Sequence, residues 1–218
     1  MLTLLASTAF AYDLLGFDWA WQDAPLEYPI VLDADSFPAD FADPDELEEN
    51  IVQATEAWSD TRAGFGIEYG GRQATLNAPS IRVYFVENSD GPLLGAANTF
   101  AYGGDIQSCE IQVYRSNASL VPIPWSFAPD AADLPFEQFD FQSVLLHELG
   151  HCFGLNHSDA PDALMRPELV NGTASRTVSD DDEDGLIAMY GKAGCATVPA
   201  APGFALLLVP LFTFRRRS

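Results

Sequence analysis

The segment 147–157 constrains this chain more than any other feature, because its eleven residues hold all three histidines of the sequence. On an α-helix, His147 and His151 lie four residues apart and share one face, where both imidazole rings can reach one ion. Gly154 permits a sharp turn after the helix, since glycine adopts positive φ without strain, and this turn returns His157 as a third ligand. Three protein ligands leave a fourth position open for water, as in catalytic zinc sites.

Glu148 is the candidate general base beside this metal site. It lies about 100° round the helix from His147, so its carboxylate can reach a water on the ion without becoming a ligand itself. The arrangement therefore predicts metal-assisted hydrolysis, in which zinc activates the water and polarises a carbonyl. Glu148 would accept the water proton and later deliver it to the leaving amine.

The spacing His-Glu-x-x-His-x-x-Gly-x-x-His is the signature of the metzincin peptidases, and two later segments resemble one branch of them, the matrixins. Residues 163–167 (ALMRP) resemble the matrixin Met-turn, with Met165 packed beneath the metal, and residues 179–191 (SDDDEDGLIAMYG) resemble the matrixin terminal helix. The resemblance extends over roughly residues 21–191. It implies an α+β catalytic domain: a twisted mixed sheet and two long helices above a cleft, zinc at the cleft floor, and a small C-terminal subdomain with one helix.

Two family features are not expected in this chain. No histidine remains for the second, structural zinc that vertebrate matrixins carry, so one catalytic zinc is predicted. Residues 12–28 contain no cysteine and no room for a propeptide that caps the zinc, so latency by a cysteine switch is not expected. Calcium binding is possible because carboxylates are abundant, but the sequence contains no EF-hand-like loop. Solvated surface acids are therefore the preferred explanation of the many Asp and Glu residues.

Local sequence patterns place the helices and strands. Asp43 and Pro44 are typical of a helix start, and apolar residues then recur at helical spacing: Leu47, Ile51, Ala54 and Trp58. Strands are expected at residues 28–32, 64–69, 80–86 and 105–114, and further helices at 141–153 and 179–190. Four prolines predict a loop over residues 117–140. The wall that determines substrate preference is expected in the loop 166–176.

The charge of the chain limits its partners. With 32 acidic and 10 basic residues, the formal charge is −22, which repels nucleic acid and anionic lipid. A protein or peptide substrate is therefore expected, without nucleic acid, and the chain is expected to act as a monomer. Contact with a membrane is expected only through the C-terminal tail.

The two ends of the chain differ from the domain between them, which is predicted to span residues 12–192. Residues 1–11 resemble a secretory signal with a small-x-small cleavage site, although a buried terminal strand or helix is the alternative. Residues 193–218 combine Cys195, an apolar run and three arginines, and resemble bacterial C-terminal sorting tags. The protein is thus expected to be secreted or tethered to the cell envelope, with a mature end near Cys195; a packed C-terminal strand is the alternative.

Cys109 and Cys152 form a candidate disulfide. On its helix, Cys152 lies on the same apolar stripe as Leu145 and Leu149. On its strand, Cys109 lies on the same side as Ile111 and Val113, because alternate residues of a strand face the same way. A bond between them would join the sheet to the active-site helix. Two independent buried thiols are the alternative.

Two other functions fit the same sequence. One is a catalytically silent zinc-binding surface or adhesion protein on the same fold, against which the carboxylate of Glu148 argues, because a pure binder does not need it. The other is hydrolysis of a non-protein amide, such as a cell-wall peptide. Cleavage of casein would separate these functions from an endopeptidase.

Overall fold

The computed structural model describes residues 12–15, 20–21, 30–36, 41–64, 66–73, 80–89 and 91–191. The expected signal segment, residues 1–11, and the expected tail, residues 193–218, lie outside this part of the chain. Within the described ranges, no helix combines the length and the apolar character that crossing a bilayer requires.

Three α-helices form where the sequence supplies both an apolar face and an N-terminal cap. They are α1 (Pro44–Ser59), α2 (Phe141–Cys152) and α3 (Asp180–Tyr190). The side chains of Asp43, Asp140 and Ser179 accept hydrogen bonds from backbone N–H groups in the first turns, which would otherwise lack partners. All three helices were expected from the sequence, and their observed bounds confirm the pattern.

A five-stranded mixed sheet forms the second layer. Its strands are β1 (Ile30–Asp33), β2 (Tyr69–Gln73), β3 (Ile81–Asn88), β4 (Gly95–Tyr102) and β5 (Asp105–Ser116). The spatial order is β2-β1-β3-β5-β4, with parallel pairing except between β4 and β5. A short parallel pair, β6 (Trp125–Ser126) and β7 (Phe139–Asp140), precedes α2. The expected α+β class is confirmed.

The core lies between the sheet and the two longer helices. Alternate residues of the central strands are buried and pack with the apolar faces of α1 and α2, among them Ile81, Val83, Ile111, Val113, Leu47, Trp58, Leu145 and Leu149. Cys109 and Cys152 are fully buried in this core and form a disulfide. The disulfide prediction is therefore confirmed, and the sheet is covalently joined to the last residue of α2.

The strand expected at residues 64–69 is wrong in position, because β2 begins only at Tyr69. Ser59, the last residue of α1, explains the shift. Its hydroxyl donates to the Ile67 carbonyl at 2.9 Å and accepts from the Ile67 N–H at 3.3 Å. The backbone of Ile67 is thus satisfied by a side chain and does not pair in the sheet.

The sequence patterns also missed the edge strand β4 and placed a continuous loop where β6 and β7 lie. Gly, Ala and Asn are poor strand formers, so the sequence of β4 gives little local signal. β4 forms because it pairs with β5 in a hairpin. The hairpin turns at Gly103 and Gly104, whose φ angles are +67° and +98°. That Gly-Gly pair was the available signal, because such dipeptides are typical of two-residue hairpins.

Candidate active site

The three histidines of the sequence motif converge at the end of α2. One ligand atom from each of His147, His151 and His157 lies within 4.8 Å of the others. The ring centroids of His147 and His151 are 4.8 Å apart, and those of His151 and His157 are also 4.8 Å apart. Among the described residues, this is the one group of three or more potential metal ligands.

The turn after α2 brings the third histidine back. Gly154 has a φ of +103°, and the N–H of Leu155 bonds to the carbonyl of Gly150 at 3.0 Å. The N-terminal residues support this turn from outside, since the Leu15 N–H donates to the Gly154 carbonyl at 2.8 Å. Leu14 and Leu155 form an antiparallel bridge at the same place. The positive φ expected at Gly154 is confirmed.

Hydrogen bonds to backbone carbonyls orient two of the imidazole rings. Nδ1 of His147 lies 3.0 Å from the Leu164 oxygen, and Nδ1 of His151 lies 2.8 Å from the Leu155 oxygen. Because a carbonyl oxygen only accepts, the proton is on Nδ1 in each ring and Nε2 keeps its lone pair. Burial lowers the pKa of His147 and lowers that of His151 to about 4, so both rings are neutral near pH 7.

These donors are of the kind that zinc binds, and one pair of them has the spacing that zinc requires. Nε2 of His151 and Nε2 of His157 are 3.3 Å apart. Two nitrogens bound tetrahedrally at typical zinc distances would be separated by about 3.3–3.4 Å. Burial also lowers the pKa of His157, which favours the neutral form that binds metal. Three neutral imidazoles with oriented rings are the donor set of a catalytic zinc site.

Glu148 lies beside the histidines in a nearly closed environment. The residue is 7% exposed, and burial raises the pKa of its carboxyl to about 8, while a hydrogen bond from the Ala97 backbone acts in the opposite direction. A divalent cation held by the neighbouring imidazoles would favour the carboxylate, because opposite charges within a few ångströms stabilise the ionised form. The carboxyl group is thus placed to exchange a proton near neutral pH.

The edge strand β4 forms the surface against which Glu148 packs, and sequence reasoning missed this role. A Cβ atom on Gly95 would lie 3.0 Å from Oε1 of Glu148 and 3.0 Å from Cγ1 of Val144. Glycine at this position therefore allows the strand to approach the active-site helix. Thr99 of the same strand donates to the carbonyl of His151 at 3.2 Å.

Met165 packs directly below the active-site helix. It is 1% exposed, and a Cβ atom on Gly150 would overlap its sulfur and lie 3.0 Å from Cζ2 of Trp58. Gly150, inside the histidine motif, is therefore needed for close contact between α2 and Met165. The expected packing of Met165 is confirmed, and its place beneath a metal ion stays a prediction.

Asp182 of α3 fixes the chain around Met165. This residue is 1% exposed, and its carboxylate accepts from the N–H of Leu164 at 2.8 Å and from the N–H of Met165 at 3.1 Å. The carbonyl of Leu164 in turn bonds to the ring of His147. The Asp182 carboxylate thus helps α3 to fix the orientation of the His147 ring. The residues involved are too far apart in sequence for local patterns to predict this contact.

The C-terminal end of α2 is capped by distant aromatic side chains. The indole N–H of Trp21 donates to the Cys152 carbonyl at 2.9 Å, and the hydroxyl of Tyr190 donates to the Phe153 carbonyl at 2.7 Å. These bonds satisfy carbonyls that the helix itself leaves without partners. Tyr190 therefore has a structural role.

A cleft of about 820 Å³ contains the histidines and Glu148. The lining includes residues of β4, α2 and the segment 166–176, and its apolar members include Leu94, Ala96, Val144, Leu164, Leu169 and Val170. This segment was the wall expected from the sequence. Its apolar lining beside the histidines suits an apolar side chain of a ligand.

Comparisons with known proteins agree with this architecture. Interstitial collagenase of Sus scrofa is 27% identical over 188 residues, which are 84% of this chain and 35% of that protein. Matrix metalloproteinase-25 of Homo sapiens is 45% identical over 60 residues, 26% of this chain and 11% of that protein. Metalloendoproteinase 1 of Glycine max is 37% identical over 68 residues, 31% of this chain and 22% of that protein. This chain spans about a third or less of the length of these relatives.

The match to a family model extends further along the chain than the histidine motif. The model described as Matrixin matches residues 20–191, which include every strand and helix given above. The extended histidine motif, the buried Met165 and the terminal helix α3 all lie within that range. This protein therefore belongs to the matrixin family.

Proposed function

We propose that this chain is a zinc metalloendopeptidase in which His147, His151 and His157 hold the metal and Glu148 is the general base. The observation that carries the proposal is the buried carboxyl of Glu148 beside three convergent, neutral imidazoles at the floor of an open cleft. Membership of the matrixin family supports it. One zinc is proposed, at the one group of three or more His, Cys, Asp or Glu side chains among the described residues that is placed to hold a metal ion.

The residues of this chain divide the chemical work between them. When bound, zinc supplies Lewis acidity that polarises a carbonyl and makes water a nucleophile near neutral pH. Glu148 accepts the proton of the attacking water on a carboxylate oxygen and donates it to the nitrogen of the leaving amine. The backbone N–H of Ala97 holds that carboxylate in place, and the carbonyls of Leu155 and Leu164 hold the imidazole rings.

The cleft suits an extended polypeptide substrate. β4 is the last strand of the sheet and lines the cleft through Gly95 and Ala97. An extended peptide can add to such an edge by main-chain hydrogen bonds, while alternate side chains enter pockets. Binding through the backbone supports cleavage within chains, as an endopeptidase requires.

The alternative of a catalytically silent zinc-binding protein is less well supported. A binder would not need a carboxyl whose pKa burial raises to about 8 beside the open metal position. A wall-peptide amide would also fit the chemistry, and the substrate test below separates it from protein cleavage.

We also propose that the protein works outside the cytoplasm. The buried Cys109–Cys152 disulfide supports this location, since structural disulfides persist in oxidising compartments. The signal-like residues 1–11 support export, and the tail 193–218 supports attachment to the envelope before removal near Cys195. Intact-mass analysis of protein from its native host tests the tail, and Ser218 retained on a soluble secreted enzyme would contradict the proposal.

Chelation is the direct test of the proposed activity. The purified chain should cleave casein, lose at least about 99% of that activity in 1,10-phenanthroline, and recover it when zinc is returned, because water activation depends on the ion. Calcium added in place of zinc should not restore cleavage. Full activity in the chelator would contradict the proposal, and cleavage of wall peptides without cleavage of casein would favour the amidase alternative.

A further inference from the structure

The cleft wall formed by residues 166–176 is attached to α2 by contacts that the proposed chemistry does not use. Thr173 and Ser175 of this segment line the cleft together with Ser143 and Val144 of α2. The segment contains no helix or strand. Its position, and with it the size of the cleft, therefore depends on side-chain and turn contacts.

Arg176 makes the most extensive of these contacts. Its side chain is 12% exposed, and its guanidinium donates to both carboxylate oxygens of Asp140, through Nε at 2.9 Å and Nη2 at 2.6 Å. The same group donates to the carbonyls of Ala128 and Pro129, at 2.8 Å each. Such a planar, multiply bonded guanidinium fixes position better than a point charge does.

Asp140 transmits this attachment to the active-site helix. It is fully buried and caps the N-terminus of α2 by accepting from the Ser143 N–H at 3.1 Å. The hydroxyl of Ser143 donates to Asp140 and accepts from the N–H of Ser175 at 2.7 Å. Arg176, Asp140 and Ser143 thus join the wall to the first turn of α2 directly behind the cleft lining.

A backbone bond supports the same wall at a second point. The Gly172 N–H donates to the Gln138 carbonyl at 2.7 Å. Val170, farther out in the wall, is 63% exposed. The inner part of the wall is therefore fixed to α2, close to the histidines.

On the basis of the proposed peptidase function, we propose that Arg176 is a specificity-determining positioning residue. Through Asp140 and Ser143, it holds the wall at a fixed distance from α2 and so sets the size of the substrate side chain that the cleft selects. Arg176 does not line the cleft and touches no reacting atom. Its effect falls on the choice between substrates more than on the chemical step.

The test compares two fluorogenic peptides that differ only by Leu or Ala on the C-terminal side of the scissile bond. In Arg176→Lys, the ratio of kcat/KM for the Leu peptide to that for the Ala peptide should fall by about fivefold or more, since pocket contacts of this kind discriminate by about 10–200-fold. The kcat/KM of the Ala peptide should stay within about twofold of wild type. Arg72→Lys, in the surface pair with Glu48, is the matched control and should leave the ratio unchanged.

Hydrogen exchange of residues 166–176 gives a second readout that does not depend on turnover. Exchange there should be faster in Arg176→Lys and in Ser143→Ala, with α3 unchanged. Unchanged exchange would overturn the claim that Arg176 and Ser143 hold the wall to α2. This readout is independent of the proposed function, because it can be measured even if the wild type cleaves neither peptide. Equal losses of kcat/KM for both peptides would overturn the specificity role and reduce Arg176 to general support of the fold.

Discussion

Glu148→Ala is expected to lower kcat for casein or a peptide by about 10³-fold or more, because it removes the buried carboxyl beside the three histidines that is proposed to accept the water proton. The fold should survive the change. Burial disfavours the ionised form of this carboxyl in the folded state, so its removal takes away a group whose charge does not stabilise the fold. The expected result is a folded protein with its metal retained and almost no turnover.

The isosteric variant Glu148→Gln and the exposed helix variant Glu56→Ala complete this experiment. Glu148→Gln keeps the shape of the side chain beside Gly95 but removes its basicity, so it should be as inactive as Glu148→Ala. Glu56 lies on the exposed side of α1, and its loss should change kcat by less than about twofold. A Glu148→Ala enzyme working at about a tenth of the wild-type rate would show that another group provides the base.

Removal of the disulfide is expected to have the largest effect on stability. Cys109 and Cys152 are separated by 43 residues in sequence. By the chain-entropy relation, closing a loop of this size stabilises the fold by about 4 kcal/mol. The double variant Cys109→Ala/Cys152→Ala should therefore lose about that much free energy of unfolding, or roughly 8–16 °C in Tm.

Urea unfolding with and without reductant provides the control. Reductant should destabilise the wild type to about the level of the double variant and should leave the double variant unchanged, because only the wild type has this bond to lose. A wild type that is indifferent to reductant after complete unfolding and refolding would mean that the bond does not form in solution.

The convergence of the three histidines could be predicted from sequence because the residues involved are local. Three histidines and a glutamate lie within eleven residues, so helix geometry and one glycine turn were enough to bring them together. The Cys109–Cys152 disulfide could be predicted in the same way. Each cysteine lies on the apolar side of its element, and the two apolar sides pack in one core.

The features that sequence patterns missed depend on contacts between distant segments. β4 is ordered by pairing with β5, and its role beside Glu148 follows from the approach of Gly95 to α2. Asp182 acts on residues seventeen and eighteen positions away, and Arg176 contacts Asp140 across 36 positions. Propensity and periodicity act over a few residues, so they give no information on such pairs.

Metal content measured on the purified chain tests the central claim most directly. Elemental analysis after extensive dialysis should find one zinc per chain in the wild type and in Glu148→Ala, because Glu148 is not a ligand. His151→Ala should retain well under half of that zinc, since two imidazoles bind the ion much more weakly than three. A wild type without stoichiometric zinc, or a Glu148→Ala variant that loses it, would contradict the proposed site.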